Sequence, residues 1–100
     1  MTLSSTLQKA MDHHGKKEKN EAIALYKQFL DEGGKDKRAY TNLAALLRTE
    51  GKAEEAMKIV NIGLDEMGKN SPILLNTLGN CLRDLDRNVE AIAAYRKSIR

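Results

Sequence analysis

Glu21-Ala22-Ile23-Ala24-Leu25-Tyr26-Lys27-Gln28-Phe29-Leu30, Glu55-Ala56-Met57-Lys58-Ile59-Val60-Asn61-Ile62-Gly63-Leu64 and Glu90-Ala91-Ile92-Ala93-Ala94-Tyr95-Arg96-Lys97-Ser98-Ile99 are three versions of one phrase. They start 34 and then 35 residues apart. Each has a small Ala, a large residue four positions on (Tyr26, Val60, Tyr95) and an apolar residue four after that (Leu30, Leu64, Ile99). A four-residue step keeps side chains on one face of a helix, so each phrase reads as an amphipathic helix. A period of this length marks stacked supersecondary units that cannot bury their apolar faces alone.

The residues before each phrase repeat as well. Tyr40, Leu43, Ala44 and Leu47 match Leu75, Leu78, Gly79 and Leu82 at a spacing of 35. Ala44 and Gly79 each fall twelve residues before the Ala of the following phrase, so each unit reads as a helical hairpin. The extra residue of the longer spacing then lies between Ala56 and Gly79, and the loop around Gly68-Lys69-Asn70-Ser71 is the expected place for it. Ser71 is the residue type that caps a helix, with Pro72 in its first turn. For the first unit, Leu3, Leu7, Ala10, Met11 and His14 form the stripe, and two registers remain open. Either Ala10 is the small residue, twelve before Ala22, or Leu7 takes the Leu slot and Gly15 the turn.

Composition agrees with an all-α chain. Hydrophobic residues make up 41% of the 100 residues but aromatics only 4%, with no Trp and one Pro, so Leu, Ile and Ala must do the packing through close helix contacts. Seventeen basic and fourteen acidic residues are interspersed apart from Lys16-Lys17-Glu18-Lys19, which argues against a nucleic-acid partner. Cys81, the one cysteine, excludes an intrachain disulfide and a cysteine-based zinc site and fits a reducing compartment. His13 and His14 are adjacent and point about 100° apart on a helix, unlike a metal-binding pair, and no metal or cofactor is expected. With no apolar run near the ~18 residues needed to cross a bilayer and no leader pattern, a soluble, cytoplasmic protein without a membrane partner is expected. Phosphate loops, nucleophile elbows and paired-carboxylate motifs are missing from the sequence, so no catalysis within this chain is expected.

The pattern resembles the tetratricopeptide repeat family, a 34-residue helix-turn-helix unit. Tyr40 takes its first large slot, Leu43-Ala44 the Leu-Gly pair, Leu47 the next large slot, Gly51 the turn, Ala56 the Ala and Gly63 a slot usually held by Ala. Leu75, Leu78-Gly79, Leu82 and Ala91 match in the third unit, where Asp86 replaces the turn Gly. The resemblance implies a solenoid of three repeats, about 3–36 (atypical), 37–70 and 71–100, six helices in a right-handed superhelix with the first helices lining a concave groove.

On that reading the groove residues are Arg38, Thr41, Asn42, Ala45 and Arg48 from the second repeat and Asn76, Thr77, Asn80 and Arg83 from the third. Amides would hold the backbone of an extended peptide, and the arginines would favour an acidic one. Asn42 matches the slot from which some arrays of the family present a ladder of Asn, with Thr77 in its place one repeat on. The expected function is therefore a scaffold or adaptor that binds a polypeptide; the alternative is the N-terminal docking segment of a longer bacterial glycosyltransferase or methyltransferase. The sequence closes at Arg100 without a polar capping helix, which leaves Ile92, Tyr95 and Ile99 as an expected exposed packing face. A fragment of a longer protein is the first expectation, and self-association through that face is the second.

Overall fold

A computed structural model describes residues 4–99. Leu3 and Arg100, named above, lie outside the described residues. Six helices and no strand are present among the described residues: α1 (Ser5–Gly15), α2 (Lys19–Asp31), α3 (Lys37–Thr49), α4 (Ala53–Met67), α5 (Pro72–Asp84) and α6 (Asn88–Ser98). They pack as consecutive hairpins, α1 on α2, α3 on α4 and α5 on α6, with α3 laid on α2 and α5 on both α4 and α3. The fold is the all-α solenoid that the period called for.

One turn geometry closes all three hairpins. Three residues separate the paired helices each time, and the middle one has positive φ: Lys17 at 61°, Gly51 at 76° and Asp86 at 60°. The residue after it sends its N–H back to the carbonyl of a last-turn residue, Glu18 to His13, Lys52 to Leu47 and Arg87 to Leu82, at 2.8–2.9 Å. These bonds decide the open register. His13 is equivalent to Leu47 and Leu82, Ala10 is the small residue, and Lys17 rather than Gly15 occupies the left-handed position that only Gly adopts without steric penalty.

The first helices are capped by side chains or by proline. Ser4 Oγ accepts from the N–H of Thr6 at 3.2 Å, and Asp36 accepts from Arg38 N–H at 2.9 Å, each satisfying an amide that the helix leaves free. Ser71 does occupy the N-cap position of α5, but its Oγ makes no capping bond and is buried without a partner among the described residues, so Pro72 and the backbone start that helix. The extra residue of the second spacing is absorbed in the helix: α4 has 15 residues against 13 in α2. The loop after it, Gly68 to Ser71, is correspondingly short.

Small residues let the layers approach. A Cβ on Gly63 would stand 2.8 Å from Tyr40 Cγ and 3.2 Å from Leu74 Cδ2, and one on Gly79 would stand 2.5 Å from the Tyr95 ring. Tyr26, Leu7, Leu43, Leu47, Leu74 and Val60 fill a continuous core over α1–α5, all at most 1% exposed. The packing of α6 is thinner, a satellite of Leu82, Ala91 and Ala94 with Met57, Leu78 and Tyr95 at its edge.

Candidate functional site

α3 and α5 lie side by side, and the residues expected to bind a ligand fall on or beside the surface they share. Arg38, Asn76 and Arg83 are exposed, and Asn42, Ala45, Arg48 and Asn80 are half-buried. Thr41 and Thr77 are buried, and their hydroxyls donate to their own helices, to the Arg38 carbonyl at 3.3 Å and the Ile73 carbonyl at 2.8 Å. They shape the surface more than they offer hydrogen bonds to it.

Two of the three arginines have partners within the chain. Arg48 on α3 grips Asp84 on α5 through Nε at 2.7 Å and Nη2 at 3.2 Å, a bridge between repeats. The guanidinium holds the Asp84 carboxyl below the usual carboxylate range, and Asp84 in turn raises the Arg48 pKa. Arg38 folds back on its own N-cap residue, donating to Asp36 through Nε at 3.0 Å and Nη2 at 2.8 Å. Arg83 makes no ion pair among the described residues, so the capacity for an acidic group narrows to it.

The two half-buried amides are held by tyrosines arriving from the second helices. Asn42 Nδ2 donates to the Tyr26 hydroxyl oxygen at 3.0 Å, and the same oxygen lies 3.0 Å from His14 Nδ1, with the two rings edge to face. Burial pushes the Tyr26 phenol pKa up, opposed by the Asn42 bond and the nearby Arg38 charge. In the third hairpin the sense is reversed: the Tyr95 hydroxyl donates to Asn80 Oδ1 at 2.5 Å. Among the described residues, Asn42 therefore keeps its carbonyl free and Asn80 keeps its NH2 free. One unoccupied acceptor and one unoccupied donor stand on neighbouring helices.

By their spacing alone, Tyr26 and Tyr95 read as packing residues and His14 as part of the first unit's stripe. The missed signal is that a tyrosine in an apolar stripe carries a hydroxyl that needs a partner once buried. Cys81 is 0% exposed and its thiol is pushed up to about 11 by burial, which fits a core filler. On α6 and its C-cap, Ile92 is 50% and Ile99 84% exposed, while Tyr95 is half-buried against Gly79, so the expected apolar face is open at its ends and partly closed at its centre.

Another cleft lies away from this surface. About 610 Å³ opens between α4 and α6 over Leu75, Leu78 and Leu82 of α5, with Asp65, Glu90 and Lys97 on its rim. Its floor leucines are packed into the core, with Leu75 and Leu82 no more than 5% exposed, so it offers little free apolar surface. Among the described residues, no cluster of His, Cys, Asp and Glu could hold a metal ion, and no helix is long and apolar enough to cross a membrane.

The family model described as Tetratrico peptide repeat matches residues 5–99. A comparison with curated proteins finds no match.

Proposed function

Since the chain belongs to the tetratricopeptide repeat family, whose repeats are typically non-catalytic protein-interaction modules, we propose that it binds an extended polypeptide across the surface shared by α3 and α5. The observation that supports this most is the pair of tethered amides. A peptide backbone alternates N–H and C=O, and the free Asn42 carbonyl and Asn80 NH2 offer one partner of each kind without demanding a side-chain sequence. Both amides are already ordered by their tyrosines, so less conformational entropy is lost when a ligand arrives. Arg83 adds a preference for an acidic residue at one end.

Amide chemical shifts recorded while pools of randomised peptides are added test this reading. Shifts should gather on α3 and α5, and Asn42→Ala with Asn80→Ala should lower affinity roughly tenfold, the effect of losing two neutral hydrogen bonds at about 0.5–1.5 kcal/mol each. Shifts gathered on α2, α4 and α6 instead, or unchanged affinity of the double variant, would overturn it.

A further inference from the structure

Tyr26 has one hydroxyl proton and two polar neighbours on different helices, His14 on α1 and Asn42 on α3. The residue is 0% exposed, so water does not offer the hydroxyl another partner. While Asn42 donates to the Tyr26 oxygen, the hydroxyl proton is available to His14 Nδ1, which must then be unprotonated, with the imidazole proton on Nε2. A proton on Nδ1 reverses the relay. Nδ1–H donates to the Tyr26 oxygen, and the buried hydroxyl proton must find an acceptor. Asn42, already bonded to that oxygen, can supply one: a half-turn of its amide brings Oδ1 round and changes its shape hardly at all.

We propose that His14, acting through Tyr26, sets which edge of the Asn42 amide the surface presents: the carbonyl when the imidazole is neutral, the NH2 when it is protonated. This rests on the peptide-binding reading above and deepens it. In the neutral state Asn42 takes a backbone N–H of the ligand, and in the protonated state it takes a backbone C=O, so peptide register across α3 depends on the charge of a residue on α1. Asn80 has no such relay, since Tyr95 donates to its Oδ1 with no histidine behind it. His14 and Tyr26 are positioning residues for Asn42.

Two charged groups near the relay are paired. His13, next to His14 on α1, is bonded to Glu18 at 2.9 Å, and Arg38, whose charge reaches Tyr26 from α3, is held by Asp36. Tyr26 itself is the group facing from α2. A His13→Gln background therefore leaves His14 as the one imidazole in the chain.

In that background the free protein, without any peptide, is titrated between about pH 8 and about pH 5, where imidazoles change charge. The nuclear Overhauser contact between the Asn42 side-chain NH2 and the Tyr26 ring is followed beside the His14 ring nitrogens. The contact should be present at the upper end and lost in step with His14 protonation. His14→Phe removes the acceptor, so the hydroxyl should bond Asn42 Oδ1 and the contact should be absent throughout. A contact that persists through His14 protonation, or one that persists at every pH in His14→Phe, overturns the proposal. Because no ligand is present, either result leaves the peptide-binding reading to its own test.

Discussion

Tyr26 on α2 and Tyr95 on α6 hold the same slot in their hairpins, yet one is wholly enclosed and the other is half-buried. The difference comes from what lies over them. α3 is laid across α2 and supplies Asn42, whereas Tyr95 turns back to Asn80 of its own hairpin. The outer sides of the two junctions differ in the same direction. α2 and the loop that follows it are tied to α4 by Lys27–Glu55 and Lys35–Glu66 respectively, both at 2.9 Å. One repeat on, Asn61 replaces Lys27 and Glu90 turns to Arg87 at 2.7 Å, so α4 and α6 face each other across the open cleft. A hairpin of this type thus completes only part of its own burial, and the following helix supplies the rest.

The largest expected effect that could break this comparison is on the tyrosines. Tyr26→Ala should cost about 3–5 kcal/mol, as for a fully buried aromatic, and Tyr95→Ala about half of that. Urea denaturation of both variants checks the order; equal losses would mean that the covering helix contributes nothing at this slot. Next come the glycines. Gly63→Ala should cost about 1–3 kcal/mol by overpacking, since Tyr40 and Leu74 are enclosed, while Gly79→Ala should cost less because the half-buried Tyr95 ring can swing outward. Thermal melts of the two variants sharpen the contrast.

Smaller still is the acid dependence of the second junction. The Asp84 carboxyl is depressed in the folded state by Arg48, so the bridge stabilises above the ordinary carboxylate pKa of about 3.9, and that stability is lost as pH falls through the lower folded value. Asp84→Asn should therefore lower stability by about 1 kcal/mol at neutral pH and flatten its decline in acid. Denaturation midpoints at several pH values measure both. Glu55→Gln at the first junction should do less than Asp84→Asn, because the Lys27 pair is more exposed and is screened by salt.

The helix pairs were legible because Ala22, Ala56 and Ala91 recur with their large partners at helical spacing, and a stripe of that kind has few other ways to be buried. The register of α1 was not legible. Its turn position is filled by Lys17, whose left-handed conformation is imposed by the hairpin rather than by any preference of lysine. Local pattern misplaced the added residue, which lengthens α4, and credited Ser71 with a bond that its side chain does not make. For the candidate surface, which residues sit along α3 and α5 followed from periodicity. The engagement of Arg48 by Asp84 and of Asn42 by Tyr26 and His14 did not, since those pairs meet only once the helices have stacked.

The hairpin-by-hairpin packing also determines how the chain yields to force. Among the described residues, the extensive helix packing is between elements close in sequence, and α6 and α1 are not among the packed pairs. Such a molecule has low contact order, which favours rapid folding, and its stability is approximately a sum over neighbours. Stretched from the C-terminal side, it should peel: α6, with the thinnest packing, leaves first, and the enclosed Tyr26 region lets go last. A tethered partner pulling on the chain would therefore meet a graded series of yields in place of one rupture.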